Sequence, residues 1–222
     1  GIEVRVVAVG TGAAIRHAKK GDADVLLVHH LPSEKKFVED GFGVHRFPLM
    51  WNDFVLVGPE ADPAGARGMK DITKALVAIH SSKALFVSRG DDSGTHKKEM
   101  QLWRSANLEP QKQSGTWYRE IGAGMGAALN MAAAQDAYVI SDRGTWLRYQ
   151  NSKGLTVLSE GDDRLVNPYG VILVNQKRHA HVKTALGQKF IDWMISAEGQ
   201  KNIGDYRIGG KVLFHPGLAP GS

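Results

Sequence analysis

Short apolar stretches that read as strands alternate along this chain with stretches of helical periodicity, and this alternation limits the fold more than any other feature. The strand-like runs are Val4–Val9, Val25–His29, Asp53–Val57, Ala84–Ser88, Ala137–Ser141 and Pro168–Asn175. The helical runs are Ala13–Lys20, Glu34–Glu39, Ile72–Ser81, Thr95–Ala106, Gly124–Gln135 and Val182–Ile203. Such alternation predicts an α/β fold, in which helices cover mostly parallel sheets.

The composition removes several classes of function. The chain has 222 residues with 28 Lys and Arg against 23 Asp and Glu, and it has no cysteine, which excludes disulfides, thiolate zinc sites and cysteine nucleophiles. The basic residues are scattered in separate pairs rather than interleaved with aromatic residues, so a solvated surface is favoured over a nucleic-acid interface. No apolar run approaches the roughly 20 residues of a membrane span, and no signal peptide is visible.

Three turns rich in small and hydroxyl residues each stand between a strand end and a helix start. They are Gly10–Ala14, Ser88–Thr95 and Gly122–Gly126. A helix N-terminus leaves backbone N–H groups unpaired and carries a partial positive charge, and glycine lets an anion approach the backbone. Arg89 adds a full charge on a planar donor fork that suits oxyanions. The recurring turn predicts binding of a small anion.

Each turn also has a purely structural interpretation. The first can be a tight strand-to-helix turn, the third can serve close helix packing, and Ser93 can be an ordinary N-cap. Dinucleotide binding is disfavoured, because His29 and His30 stand where an acidic residue would end the next strand. Lys97 and Lys98 in the first turn of a helix oppose the usual preference for acidic residues, which favours an anion at this helix start.

Metal and catalytic motifs are weak. His29 and His30 are adjacent and would point to opposite faces of a strand, so they do not favour one metal ion. No Gly-x-Ser-x-Gly turn is present, and the loop carboxylate pairs Asp91-Asp92 and Asp162-Asp163 have no nucleophile-elbow or metal-ligand context. An enzyme acting on an anionic molecule stays open as an alternative, with His96 as the nearest candidate acid or base.

Five segments of the chain resemble the tungstate-binding proteins of ABC importers, which are extracytoplasmic receptors of the type II periplasmic-binding class related to the molybdate receptors. These segments are Val9–Val28, Trp51–Pro59, Phe86–His96, Tyr118–Asp142 and Tyr206–Pro216. The block SRGDDSGTH at residues 88–96 is the most specific of the matching motifs.

The resemblance implies a two-lobed type II periplasmic-binding-protein fold in which each lobe is a mostly parallel sheet flanked by helices. Lobe I would comprise residues 1–50 and 178–222, and lobe II residues 51–177. The implied function is capture of tungstate, or molybdate, in the cleft and delivery to an ABC permease, by a periplasmic monomer without a cofactor, a metal cation or catalysis. A receptor or sensor for another small oxyanion, such as sulfate or phosphate, stays open.

The site residues also follow from the resemblance together with the three turns. Thr11 takes a hydroxyl position, Arg89 and Thr95 take the arginine and threonine of the specific block, and the third turn contributes backbone amides. The ligand-binding residues so predicted are Thr11, Arg89, Ser93, Thr95, Ala123, Gly124, Ser141 and Asn167.

Receptors of this family begin with a further strand, a threonine-rich loop and a helix, whereas the present sequence starts after them. Either the sequence is truncated or the protein has lost this element, and we expect truncation. The resemblance then implies weak binding or none for a chain without that loop, unless another segment takes its place.

Overall fold

The structure is a computed structural model, and it describes residues 1–152 and 154–220. The helices are α1 (Thr11–Lys20), α2 (Leu31–Glu39), α3 (Ile72–Ser82), α4 (Gly94–Ser105), α5 (Met125–Ala134), α6 (Arg143–Arg148), α7 (Thr184–Ile195) and α8 (Ala197–Asp205). The strands are β1 (Val25–Val28), β2 (Gly43–Pro59), β3 (Phe86–Ser88), β4 (Tyr118–Glu120), β5 (Tyr138–Asp142), β6 (Leu155–Ser159), β7 (Val166–Val174), β8 (Arg207–Ile208), β9 (Lys211–Val212) and β10 (His215–Pro216). The predicted α/β fold is confirmed.

The chain forms two compact units. Unit 1 contains residues 1–52 and 167–222, and unit 2 contains residues 53–166. The chain leaves unit 1 along β2 and returns to it at the start of β7. The resemblance divides the chain after residues 50 and 177 instead, and the main difference is β7, which pairs with β1 and therefore belongs to unit 1.

In unit 1, helices cover a sheet to which both crossing strands contribute. β1 pairs antiparallel with β7, and β10 pairs antiparallel with β2. The core between α1, α2 and the sheet includes Ala18, Phe37 and Ile172, all fully buried. A second cluster around Leu49 and Ile191 packs α7 against the same sheet. Unit 1 therefore holds α1, and with it the first of the three turns, on a packed sheet.

In unit 2, β3 lies between β4 and β5 in the sheet and pairs in parallel with both of them. β5 pairs antiparallel with β2 on its other side, and β6 also pairs with β2. Phe86 belongs to one core cluster and its neighbour Val87 to another, so both faces of the sheet are covered. The carboxyl ends of β3, β4 and β5 consequently lie at one edge of the sheet.

The prediction of mostly parallel sheets needs correction. Parallel pairing is found for β3 with β4 and β5, strands that are joined through helices α4 and α5, and such crossovers bring strands into parallel order. The strands on which the chain crosses between units pair antiparallel, β2 with β5 and β7 with β1. The crossing strands are thus the reason for the mixed sheets.

The predicted strand Val4–Val9 is wrong, because residues 1–10 have no regular secondary structure and Val6 is 81% exposed. Alternating apolar residues become a strand only when a neighbour supplies hydrogen bonds and cover, and in the described residues no strand pairs with this segment. Residues 1–10 therefore lead into α1 without strand hydrogen bonds that would hold them in place.

The predicted helix Val182–Ile203 is in fact two helices, α7 and α8. Ser196 is extended (φ −68°, ψ 164°), and its hydroxyl caps α8 by accepting from the Gly199 amide at 3.2 Å. The serine therefore ends one helix and starts the next, a local preference that the apolar periodicity concealed.

A smaller difference concerns one strand. The run Asp53–Val57 lies in the C-terminal half of the 17-residue strand β2, whose N-terminal half is interrupted by His45, Arg46 and Pro48. In the part of the chain that the structure describes, none of the helices combines the length and the apolar character that crossing a bilayer requires.

Candidate functional site

The site-bearing edge of unit 2 is formed where β3, β4 and β5 end and the following helices begin. The amide of Ile121 donates to the Ser88 carbonyl at 3.1 Å, and the amide of Ala123 donates to the Arg89 carbonyl at 3.2 Å. These bonds extend the β3–β4 ladder and bring the turn after β4 directly beside the turn after β3. Ser141 lies two residues beyond Val139, which pairs with Val87, so it is level with Arg89.

Arg89 is the cationic group of this edge. Its side chain is only 16% exposed, and Nη2 donates to Asp91 Oδ2 at 2.5 Å while Nη1 lies 3.4 Å from Thr95 Oγ1. Burial raises the pKa of Asp91, but hydrogen bonds from Ser93 and Arg89 outweigh it and hold the pKa below its usual value. Asp91 therefore stays ionised and fixes the guanidinium over the start of α4.

The N-terminus of α4 holds three of the predicted residues. Ser93 is the N-cap, and its hydroxyl accepts from the His96 amide at 3.2 Å. Thr95 is buried in the first turn. His96 Nδ1 accepts the Asp92 amide at 3.1 Å, which places the ring hydrogen on Nε2 and makes this atom a donor. The structural interpretation of Ser93 as an N-cap thus applies, and its side chain also bonds the Asp91 carboxylate.

Buried polar atoms without a partner mark the same turns. Within residues 1–152 and 154–220, the buried side-chain nitrogens and oxygens that lack a hydrogen-bond partner are Thr11 Oγ1, Arg89 Nε and His96 Nε2. Native proteins leave few such groups unpaired, and each calls for an explanation. All three lie at the two helix starts that the sequence singled out, and all three can donate a hydrogen bond.

The turn before α5 offers backbone donors. Gly124 is the N-cap and provides no side-chain cap, so the amides of the first helical turn have no partner from it. The Ala123 amide, which the sequence predicted as a donor to the ligand, is already bonded to the Arg89 carbonyl. Ser141 is fully buried at the end of β5, and its hydroxyl donates to the Asp142 carbonyl at 3.0 Å.

Two of the predicted residues lie in unit 1 rather than in unit 2. Thr11 is the first residue of α1, which follows Gly10 as an N-cap without a side-chain cap, and Thr11 is 2% exposed. Asn167 donates to Asn52 Oδ1 at 2.7 Å, and its own Oδ1 lies 3.0 Å from His29 Nδ1. Asn167 therefore has polar partners within unit 1, and the structure does not bring it together with Arg89 inside one unit.

The two lysines in the first turn of α4 do not support an anion there. Lys97 Nζ bonds the Asp92 carbonyl at 2.6 Å and its carboxylate. Lys98 Nζ donates to the carbonyls of Arg164 and Val166, each at 3.0 Å, and burial lowers its pKa. Both amines donate hydrogen bonds to groups of the protein itself, and these bonds explain why the two lysines stand in the first turn of α4 without any bound anion.

Sequence reasoning missed Glu99, one turn after Thr95 on α4. It is buried against β3 and β4 and bonds Ser88, Trp103 and Tyr118. The available signal was its position four residues before Trp103 on the apolar stripe of α4, where a carboxylate needs an explanation. Among the described residues, no group of three or more His, Asp or Glu has the arrangement of a metal site.

Several known proteins are similar to this chain in fold and in sequence. The PBP superfamily domain matches residues 1–198. A Haloferax volcanii protein described as an ABC transporter anion-binding protein is 47% identical over 218 residues, which are 96% of this chain and 63% of that protein. The tungstate-binding protein TupA of Peptoclostridium acidaminophilum is 44% identical, over 99% of this chain and 77% of its own length.

A solved structure agrees with these matches. The tungstate-binding protein TupA from Desulfovibrio alaskensis G20 is 46% identical and superposes with a TM-score of 0.86, over 97% of this chain and 87% of that one. The fold, the length of the match and the level of identity point to one family. The chain belongs to the PBP superfamily and, within it, to the family that contains the TupA tungstate-binding proteins.

Proposed function

We propose that this chain is the solute-binding component of an ABC importer, which captures tungstate or molybdate outside the cytoplasm and delivers it to the permease. The relatives named above, a transporter anion-binding protein and tungstate-binding proteins, support this function. The single observation that carries it is the pair of buried unpaired donors at Arg89 and His96 in unit 2.

The chemistry of the ligand fits these donors. Tungstate at neutral pH is a doubly charged ion whose oxygens carry no hydrogen, so it only accepts hydrogen bonds. The unit 2 edge supplies the Arg89 and His96 N–H groups, the hydroxyl of Thr95, and the first-turn amides after Gly124. Each hydrogen bond to a charged group contributes about 1.5–3 kcal/mol before the costs of desolvation and ordering.

The same arrangement supports binding rather than catalysis. His96 was the candidate acid or base, yet its Nδ1 is occupied by the Asp92 amide, so Nε2 is left as a donor that suits an oxyanion. Ser141 of unit 2 and Asn167 of unit 1 stay in the proposal as predicted ligand-binding residues, although their side chains already have protein partners. We infer that the protein acts as a monomer, without a cofactor, a bound metal cation or nucleic acid.

The test is a calorimetric titration of the protein with tungstate, molybdate, sulfate and phosphate, each to about 1 mM so that weak binding is detected as well. Tungstate and molybdate should bind saturably with one site per chain, because they are nearly equal in size and charge. Hydrogen phosphate should bind more weakly, since its hydrogen needs an acceptor. Saturable binding of sulfate or phosphate alone, or of none of the four, contradicts the proposal, and so does consumption of an anion.

A further inference from the structure

Glu99 is a buried carboxylate with an unusual set of partners. Its Oε2 accepts from Ser88 Oγ at 2.8 Å, and Oε1 accepts from the Tyr118 hydroxyl at 2.7 Å and from Trp103 Nε1 at 3.2 Å. The residue is 2% exposed, and the three partners are fully or almost fully buried as well. A hydroxyl, a phenol and an indole are all neutral, so the carboxylate is solvated by dipoles instead of by a neighbouring cation.

The position of Glu99 connects it to the candidate site. Ser88, which it holds, is the residue before Arg89, and Thr95 lies four residues before Glu99 on the same face of α4. The bond to Ser88 therefore fastens the last residue of β3 to the second turn of α4. The segment between them contains Asp92 with a positive φ of 56°, a conformation that a residue other than glycine keeps only with support from its surroundings.

The charge of Glu99 is sensitive to its surroundings. Burial raises its pKa to about 7 against the lowering effect of its three hydrogen bonds, and the charge of Glu120 on β4 raises it further. The other charged groups nearby are engaged elsewhere: Arg89 with Asp91, and Lys98 with the carbonyls of residues 164 and 166. Glu99 thus changes its charge near neutral pH, close to the donors proposed for a dianion.

We propose that Glu99 is a positioning residue that holds Arg89 and Thr95 in the geometry for the oxyanion, and that binding of the oxyanion is coupled to uptake of a proton by Glu99. This inference rests on the proposed function and goes beyond it. A dianion at the start of α4 repels an ionised Glu99 and therefore favours its protonated form. By linkage, affinity is highest while Glu99 is protonated and falls as the pH rises through its titration.

The experiment is a titration with tungstate between about pH 6.0 and about pH 8.5, a range in which the charge of tungstate does not change and that of Glu99 does. The wild-type affinity should fall by about tenfold across this range. Glu99→Gln, which keeps the shape and loses the charge, should show a flat profile at the level of the wild type at low pH. Glu60→Gln, an exposed glutamate of unit 2, is the matched control and should follow the wild type.

Two additional measurements separate proton uptake from other causes. Calorimetry in two buffers of different ionisation enthalpy counts the protons taken up, and Glu99→Gln should abolish this uptake. His96 also lies at the start of α4 and its Nε2 is proposed to donate to the ligand, so His96→Gln is measured in parallel and should keep the slope. If Glu99→Gln folds poorly, Tyr118→Phe replaces it. This variant removes one donor to the carboxylate and should move the fall in affinity to higher pH.

The outcomes distinguish the two proposals. A wild type that binds tungstate with a slope unchanged in Glu99→Gln, or lost in His96→Gln, overturns the role of Glu99 and leaves the proposed function standing. A wild type that binds no tungstate at any pH overturns both.

Discussion

The turn that starts α1 in unit 1 and the turn that starts α4 in unit 2 have the same design but different support. Each contains a buried donor atom that has no partner, Thr11 Oγ1 in unit 1 and Arg89 Nε in unit 2. The turn in unit 2 follows β3, a strand paired on both sides, and is fastened by Asp91 and Glu99. The turn in unit 1 follows an exposed segment without regular structure.

This difference separates two requirements of an anion site. Donors at a helix start follow from local sequence, since any helix leaves its first amides unpaired. Holding those donors in place requires long-range partners, and unit 2 supplies them through buried side chains from β3, β4 and α4. We therefore expect changes in unit 2 to affect both stability and binding, and changes at the α1 start to affect mainly binding.

The largest expected effect concerns stability and Glu99, the buried carboxyl group that bonds the end of β3 to α4 in unit 2. Because the pKa of Glu99 is raised from the ordinary 4.5 to about 7, the folded protein favours the protonated form. Its contribution to stability is complete below about pH 4.5 and is lost as the pH rises to about 7, by about 3 kcal/mol. Urea unfolding of the wild type and of Glu99→Gln at several pH values measures this, and the other carboxyl groups cancel in the difference. If the unfolding free energies of the wild type and of Glu99→Gln change with pH in the same way, this prediction is wrong.

The next largest effect concerns the positively charged side chain of Arg89. Arg89→Ala removes a charge and a buried N–H from the site and should weaken tungstate binding by about 30- to 100-fold, equivalent to about 2–3 kcal/mol. Arg104→Ala is the control, because Arg104 lies exposed at the other end of α4. Calorimetric titration measures the tungstate affinity of both variants. An unchanged affinity in Arg89→Ala would remove Arg89 from the site.

A pair of glycines tests whether the two turns differ in strain. Gly90 has φ 60°, and an added Cβ would lie 3.0 Å from Glu120 Cβ, so Gly90→Ala should cost about 1–2 kcal/mol of unfolding free energy. Gly10 has φ −62° and open space around its Cβ position, so Gly10→Ala should cost less than about 1 kcal/mol. Equal losses in the two variants would contradict the comparison.

The smallest effect concerns the unpaired hydroxyl of unit 1. Thr11→Val replaces a buried, unpartnered hydroxyl by a methyl group of similar size, so the unfolding free energy should stay the same or rise by up to about 1 kcal/mol. Tungstate affinity should fall by about tenfold if the hydroxyl serves the ligand. A loss of stability without any loss of affinity would show instead that Thr11 is a structural residue.

Much of this organisation could be predicted from the sequence, and the exceptions have physical causes. The starts of α4 and α5 are local features, fixed by Ser93 and by glycine, and were predicted to within a residue. Ser196 broke a helix that apolar periodicity had joined, because a cap overrides periodicity. Glu99 could not be assigned a role, because its partners Ser88 and Tyr118 are distant in sequence and meet it only in the folded sheet.

The central claim is that the edge of unit 2 around Arg89 and Thr95 binds the metal oxyanion, and locating the tungsten atom tests it most directly. Anomalous X-ray scattering from a tungstate-soaked crystal gives that position without reference to affinity. We predict one strong peak about 4–5 Å from the Arg89 guanidinium nitrogens and from the Thr95 hydroxyl, the distance expected when a tungstate oxygen accepts hydrogen bonds. A peak confined to surface lysines, or to a position away from the start of α4, would contradict the account.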